Sequence, residues 1–289
     1  MPCALKIDSL QPTVFDLNSL KSRSLGLLGA GNMAEALARG VLNADVISTE
    51  RIIVSDVSAE RRDFFAVNLG IRTTADNVEV VKVSDLVVLC VKPQQIDELL
   101  KQIAHAIRPD VQVIASICAG ISTARLEKLL PKGARVVRVM PNMSMLVGLG
   151  ASGLCGGSQA QSSDIALVRA LFSSASLTIQ VEEKLMDAVT GLSGSGPAYL
   201  FYLVEAMMDA GVAEGFTKEQ ALALAARTVL GAARMLEETG LAPEELRRRV
   251  TSPNGTTQAA IERLDADGVK AKIIAAIQRS AERSRELSR

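Results

Sequence analysis

The chain has 289 residues, 48% hydrophobic and 3% aromatic, with 32 Lys plus Arg against 32 Asp plus Glu and no Trp. Length and apolar content suit one large or two ordinary domains with a substantial buried core, and zero formal charge with so few aromatics argues against a basic, base-stacking surface for nucleic acid. No apolar run approaches the ~20 residues that cross a bilayer, so no membrane role is expected.

Residues 1–23 carry Lys6, Asp8, Asp16, Lys21 and Arg23 and lack the apolar core of a signal peptide, so they are read as an N-terminal extension. The cysteines Cys3, Cys90, Cys118 and Cys155 are scattered, with no C-x-x-C pair and no metal-ligand spacing. Buried reduced thiols, a cytoplasmic location and no metal follow as expectations.

An apolar strand from Leu25 ends in Gly29-Ala30-Gly31-Asn32-Met33-Ala34 and opens an alanine-rich helix. This fits the G-x-G-x-x-G/A pattern: one glycine for the tight turn, one to admit a pyrophosphate, and a small third residue for helix-on-strand packing. The helix N-terminus supplies unpaired N–H groups for an anion. The alternative reading is a glycine turn that binds nothing.

Short β-branched runs at 51–55, 85–91, 111–116 and 135–140 then read as buried strands, separated by helical patterns at 59–69, 94–107 and 122–130. Residues 70–84 receive no element. A last unit has an edge strand at 151–155, a helix at 163–174 and a strand at 176–181. Beyond Glu182 strand signals stop, and helices are predicted at 196–211, 218–239, 243–250, 257–265 and 269–287. The fold class is therefore an α/β, Rossmann-like N-terminal domain with a mostly parallel, doubly wound sheet (24–181), followed by an all-α C-terminal domain (182–289). Residues 221–236 are apolar around most of the helix circumference, which predicts subunit association.

The end of the second strand usually reads the adenosine ribose, an acid favouring NAD and an arginine accommodating the phosphate of NADP. Asp56 stands there beside Ser55, Ser58, Arg61 and Arg62, so the signals conflict. Asp56 or Ser58 could equally cap the next helix, and the arginines could belong to its solvated face. Lys92-Pro93, Cys118-Ala119-Gly120 and Pro141-Asn142 follow later strands and would border the same crevice. Between two C-terminal helices, Thr251-Ser252-Pro253-Asn254-Gly255-Thr256-Thr257 offers hydroxyls and helix-start N–H groups suited to a carboxylate, or a plain N-cap with a turn. The single histidine, His105, lies toward a helix end, so no histidine triad or cluster can be assembled. Hydride addition to a C=N bond needs little acid–base help, because a protonated iminium is already electrophilic.

Six stretches occur in order: 27–34, 91–93, 119–122, 138–142, 191–199 and 252–257. Together they resemble the pyrroline-5-carboxylate reductase family over residues 24–289. The resemblance implies hydride transfer from NADPH, or NADH, to the imine carbon of 1-pyrroline-5-carboxylate, giving L-proline. It also implies a homodimer built on intertwined helices of a dimerisation domain, with larger rings such as a decamer in some members. By this similarity Gly29, Ala30, Gly31, Asn32 and Met33 would hold the pyrophosphate. Ser55, Asp56 and Ser58 would meet the ribose, with Asn77 near the adenine, and Val91, Lys92, Pro93, Ala119 and Gly120 would line the ribose and nicotinamide path. Ser252, Gly255, Thr256 and Thr257 would grip the substrate carboxylate, with Ser252 and Thr257 the catalytic candidates, and residues 191–196 would form a helix entry. The chain departs from many members at Met143-Ser144 and at Asn254, which replaces a frequent glycine. The rival readings are a reductase of another cyclic imine or a β-hydroxyacid, which a lysine placed for acid catalysis would support, and a nucleotide-responsive regulatory protein without turnover.

Overall fold

A computed structural model describes residues 19–287, so most of the expected extension, with Cys3, lies outside the described residues. Eight strands form one sheet in the order β3-β2-β1-β4-β5-β6-β7-β8. They are β1 (Leu25–Leu28), β2 (Ile52–Ser55), β3 (Arg72–Thr74), β4 (Leu86–Leu89), β5 (Val113–Ser116), β6 (Arg135–Met140), β7 (Gly150–Gly156) and β8 (Ser176–Gln180). All neighbours are parallel except β6 and β7, where Val139 faces Leu154 in an antiparallel register.

Alternation along the central strands feeds two cores. Leu86 and Val88 of β4 join the cluster under α1 (Asn32–Asn43), while Val87 and Leu89 join the opposite one under α4 (Ile96–Ile103). Both faces are thus covered, which is why these strands read as continuous apolar runs rather than alternating ones. Helices α2 (Ala59–Leu69), α5 (Thr123–Leu129) and α6 (Ser162–Ser173) complete the layers.

Three sequence expectations are corrected. Residues 70–84 hold edge strand β3 and α3 (Asn77–Val83), each too short to show a period. The expected edge strand near 151–155 is interior: β7 lies between β6 and β8, and β8 takes the edge. Its glycines hide this, since they exist to admit neighbours; a Cβ at Gly153 would stand 2.7 Å from Val189. The expected single helix at 94–107 is α4 flanked by 3-10 turns, Pro93–Gln95 and Ala104–Ala106, and His105 sits exposed in the second.

The described chain divides into two compact units, residues 19–194 with 280–287, and residues 195–279. In the first, the segment after β8 runs through α7 (Met186–Val189) and a π-helical turn (Thr190–Gly194), and Met186 is fully buried. The second unit contains α8 (Gly196–Ala213), α9 (Lys218–Thr239), α10 (Pro243–Arg249), α11 (Thr256–Ala266) and the first part of α12 (Val269–Leu287). Thr217 and Gln220 form a capping box at the start of α9, and left-handed Gly240 ends it. Among the described residues of this unit only Ala221 and Ala225 are buried, while Phe201 is 61% and Leu224 56% exposed. No helix among the described residues is long and apolar enough to cross a membrane.

Candidate active site

The sheet's winding reverses between β1 and β4, the position where doubly wound sheets open a crevice at the strand carboxyl ends. The turn after β1 lies there. Gly29 has φ +103°, and a Cβ on it would stand 2.9 Å from the Cys90 carbonyl oxygen, so the turn after β1 is pressed onto the strand end beside it. Gly31, the N-cap of α1, has nothing within 4 Å of a Cβ position. Space is therefore open above the helix start, where the first N–H groups of Asn32 and Met33 lack intrahelical acceptors. Ala34 is fully buried beneath.

The expected ribose residues are brought to this turn, with functions the sequence left open. Asp56 accepts from the Ala30 N–H at 2.7 Å and from the Ser58 N–H at 2.8 Å, one bond per carboxylate oxygen. It braces the glycine turn, and the Ala30 N–H is already engaged. Ser58 is the N-cap of α2, accepting from the Arg61 N–H. Ser55 is buried and donates to Asn77 Oδ1 at 2.6 Å, while Asn77 Nδ2 donates to Gln102. Arg61 donates to the Ala30 carbonyl at 2.7 Å, pairs with Glu35 at 3.0 Å and stacks 4.7 Å from the Phe64 ring centre. Arg62 donates to the carbonyls of Asp56 and Val57.

On the other side of the switch, Val91 and Pro93 are half-buried and Lys92 is exposed. The Cys118 thiol donates to the Val91 carbonyl at 3.3 Å, and burial pushes its pKa up to about 11. Ala119 is half-buried; Gly120 is buried with φ +72°, and a Cβ on it would stand 3.2 Å from Cβ of Leu287. Asn142 bridges the Ala151 N–H and the Ser193 carbonyl, a structural clamp.

Sequence reasoning missed a partly buried polar network behind these turns. Arg138, an arginine inside an apolar strand, donates to Glu183 Oε1 at 2.8 Å, and Glu183 also accepts from the Thr123 N–H, the Thr123 hydroxyl and the Cys155 thiol. Burial raises the Glu183 pKa, but the bonds from Thr123 and Arg138 outweigh it and hold the carboxyl below its usual range. Burial and the Glu183 charge push the Cys155 thiol up to about 12. The signal in sequence was Arg138, a cation flanked on both sides by valine in Arg135-Val136-Val137-Arg138-Val139-Met140.

In the helical unit the Ser252 to Thr257 turn leads into α11. Asn254 is left-handed at φ +56°, and its N–H donates to Gln258 Oε1 at 2.8 Å. Gly255 is the N-cap, and the Ser252 hydroxyl folds over it so closely that no Cβ would fit. Thr256 is exposed and Thr257 half-buried on the first helical positions, where N–H groups are unpaired. Lys184 pairs with Glu182 at 2.6 Å, and both side chains are exposed. Among the described residues no group of three His, Cys, Asp or Glu side chains could hold a metal ion.

A glycine turn open at the switch point of a doubly wound sheet, joined in one chain to a helical unit with a hydroxyl-rich turn at a helix start, is the architecture of a dinucleotide-dependent oxidoreductase. The family model described as pyrroline-5-carboxylate reductase dimerisation matches residues 183–287, and the one described as NADP oxidoreductase coenzyme F420-dependent matches 24–120. A pyrroline-5-carboxylate reductase of Methanosarcina acetivorans is 43% identical over 93% of this chain and 100% of its own length. One of Arabidopsis thaliana is 41% identical over 93% and 96%. The solved structure of a pyrroline-5-carboxylate reductase from Coxiella burnetii aligns at TM-score 0.87 with 36% identity, covering 93% of this chain and all of that one. That of Plasmodium falciparum pyrroline carboxylate reductase with NADP bound aligns at 0.84 with 28% identity, covering 93% and 100%. The chain belongs to the pyrroline-5-carboxylate reductase family.

Proposed function

We propose that this chain reduces 1-pyrroline-5-carboxylate to L-proline with NADPH, NADH being the alternative donor. The observation that carries the reading is the pair of turns built for anions: Gly31 leaves room above the start of α1, and Ser252 is folded over Gly255 at the start of α11. The first fits a pyrophosphate, since a side chain there would fill the cradle, and the second fits a carboxylate.

The bound nicotinamide supplies the hydride. This chain's residues supply orientation. Asn32 and Met33 N–H groups hold the pyrophosphate, while Asp56, tied to Ala30 and Ser58, fixes the turn against the ribose. Val91, Lys92, Pro93, Ala119 and Gly120 line the path to the nicotinamide. Ser252 and the N–H groups of Gly255, Thr256 and Thr257 hold the carboxylate, and the Thr257 hydroxyl meets the ring nitrogen. A protonated iminium is already electrophilic, so reduction of that form needs no histidine, and alignment of the reactants lowers the barrier.

We further propose a homodimer joined through α8 and α9, with a ring such as a decamer as its larger form. Support comes from the apolar side chains these helices leave exposed and from the dimerisation model that matches residues 183–287. The buried thiols, raised well above neutral pH, suit a reducing cytoplasm.

The test is loss of reduced-coenzyme absorbance on mixing with 1-pyrroline-5-carboxylate. Thr257→Ala is expected to lower kcat about 100-fold, the scale of one lost proton or charge contact, with coenzyme affinity unchanged. No oxidation of either coenzyme would end the reading.

A further inference from the structure

The C-terminal residues of α12 do not end idly. From Ser280 onward the helix belongs with the sheet unit, and Ser284 is only 4% exposed. The Ser284 carbonyl oxygen lies 3.6 Å, and Leu287 Cβ 3.2 Å, from where a Gly120 Cβ would be, so the helix end is seated directly on the backbone of the Ala119-Gly120 turn. The Ser284 hydroxyl donates to Asp187 Oδ1 at 2.6 Å. The same Asp187 oxygen lies 3.9 Å from Arg138 Nη2, which is buried and makes no hydrogen bond, while Arg138 Nη1 holds Glu183. Glu183 in turn takes the backbone N–H and hydroxyl of Thr123, three residues beyond Gly120.

The turn from Ala119 to Ser122 is therefore contacted at both ends by one partly buried set of groups, Ser284, Asp187, Arg138, Glu183 and Thr123, hydrogen-bonded except for the 3.9 Å approach between Asp187 and Arg138. Glycine is free to leave the left-handed region, and the turn's own bond from the Ile121 N–H to the Cys118 carbonyl is long at 3.4 Å, so contacts from outside add to what fixes its shape. We propose that Ser284, Asp187 and Arg138 are positioning residues for coenzyme binding, acting by pressing the end of α12 onto Gly120. The inference rests on the coenzyme role proposed above for that turn.

The test is calorimetric titration of the full chain with NADPH and NADH in the absence of imine, alongside steady-state kinetics. Ser284→Ala and Asp187→Ala should each weaken binding of both coenzymes about five- to tenfold, the scale of one hydrogen bond. The kcat at saturating coenzyme and the KM for the imine should stay within about twofold of wild type, since only binding shared by ground and transition state is lost. The double variant should be no weaker than the worse single one, because the two groups act as one contact. Asp187→Asn, which keeps an acceptor for Ser284, and Arg138→Lys, which keeps the charge, should recover most of the affinity. Coenzyme affinities at the wild-type level in both single variants would overturn the proposal. So would equal rises in coenzyme and imine KM together with a falling Tm, the signature of a merely structural role. A wild-type chain that binds coenzyme but does not oxidise it with 1-pyrroline-5-carboxylate would refute the assigned reaction and leave this inference standing.

Discussion

The Ala30 N–H donates to Asp56 Oδ2 at 2.7 Å, tying the glycine turn after β1 to the end of β2. The second oxygen accepts from Ser58, so both backbone donors face a carboxylate. Asp56→Asn keeps one acceptor and turns an NH2 group toward the other donor. It is expected to weaken binding of NADPH and NADH alike by about tenfold, within the range of a charge-assisted hydrogen bond. Coenzyme titration checks this, and loss confined to one coenzyme would contradict it.

Gly29 and Gly31 should fail differently. Gly29→Ala forces a side chain into φ +103° and onto Cys90, so stability should fall by about 1–3 kcal/mol. Gly31→Val sets its Cβ where nothing lies within 4 Å and should leave Tm near wild type while abolishing coenzyme binding. Denaturation and titration of both variants separate the two effects.

The two adjacent arginines should also part. Arg61 is held by Ala30, Glu35 and Phe64, so Arg61→Ala loosens the glycine turn and should raise the KM for both coenzymes. Arg62 lies at the rim on the carbonyls of Asp56 and Val57, and Val57 is 88% exposed. Arg62→Ala should raise the KM for NADPH about tenfold more than that for NADH, by removing a charge beside the extra phosphate. Equal effects on the two coenzymes would disprove that contact.

Acid should disturb the Glu183 network. Its folded pKa is depressed below 4.5, so its stabilising contribution is complete above the unfolded value and is lost as pH falls through the folded one. Glu183→Gln should therefore flatten the decline in Tm below about pH 4.5. An acid limb identical to wild type would show that the carboxylate contributes nothing.

For the helical unit, Leu224→Glu and Phe201→Glu are the informative changes. On a free surface such substitutions move stability by about 0.5 kcal/mol or less. Here both should reduce the assembled fraction, read by light scattering as a smaller particle. An unchanged mass would place the subunit contact elsewhere.

The doubly wound order was legible because its strands are buried on both faces and its helices carry one apolar stripe, each a long-range pattern. β7 was misread because its glycines serve Val189 and other neighbours from distant segments, which no local period encodes. The glycine turn after β1 and the turn from Ser252 to Thr257 were legible as turns, since loop geometry needs particular residues at particular steps. Whether Asp56 or Ser58 caps α2 was not legible, as both are good caps; the structure gives the cap to Ser58 and the brace to Asp56. The Arg138 network drew residues from five segments between Thr123 and Ser284, a separation at which sequence is silent.

Two buried alanines cannot hold together a helical unit of 85 residues. In the proposed homodimer, most of the free energy that keeps α8 to α11 in shape comes from another copy of the chain, so the folding equilibrium of this half would obey mass action. Its melting temperature should climb with protein concentration, and dilution alone should act as a denaturant.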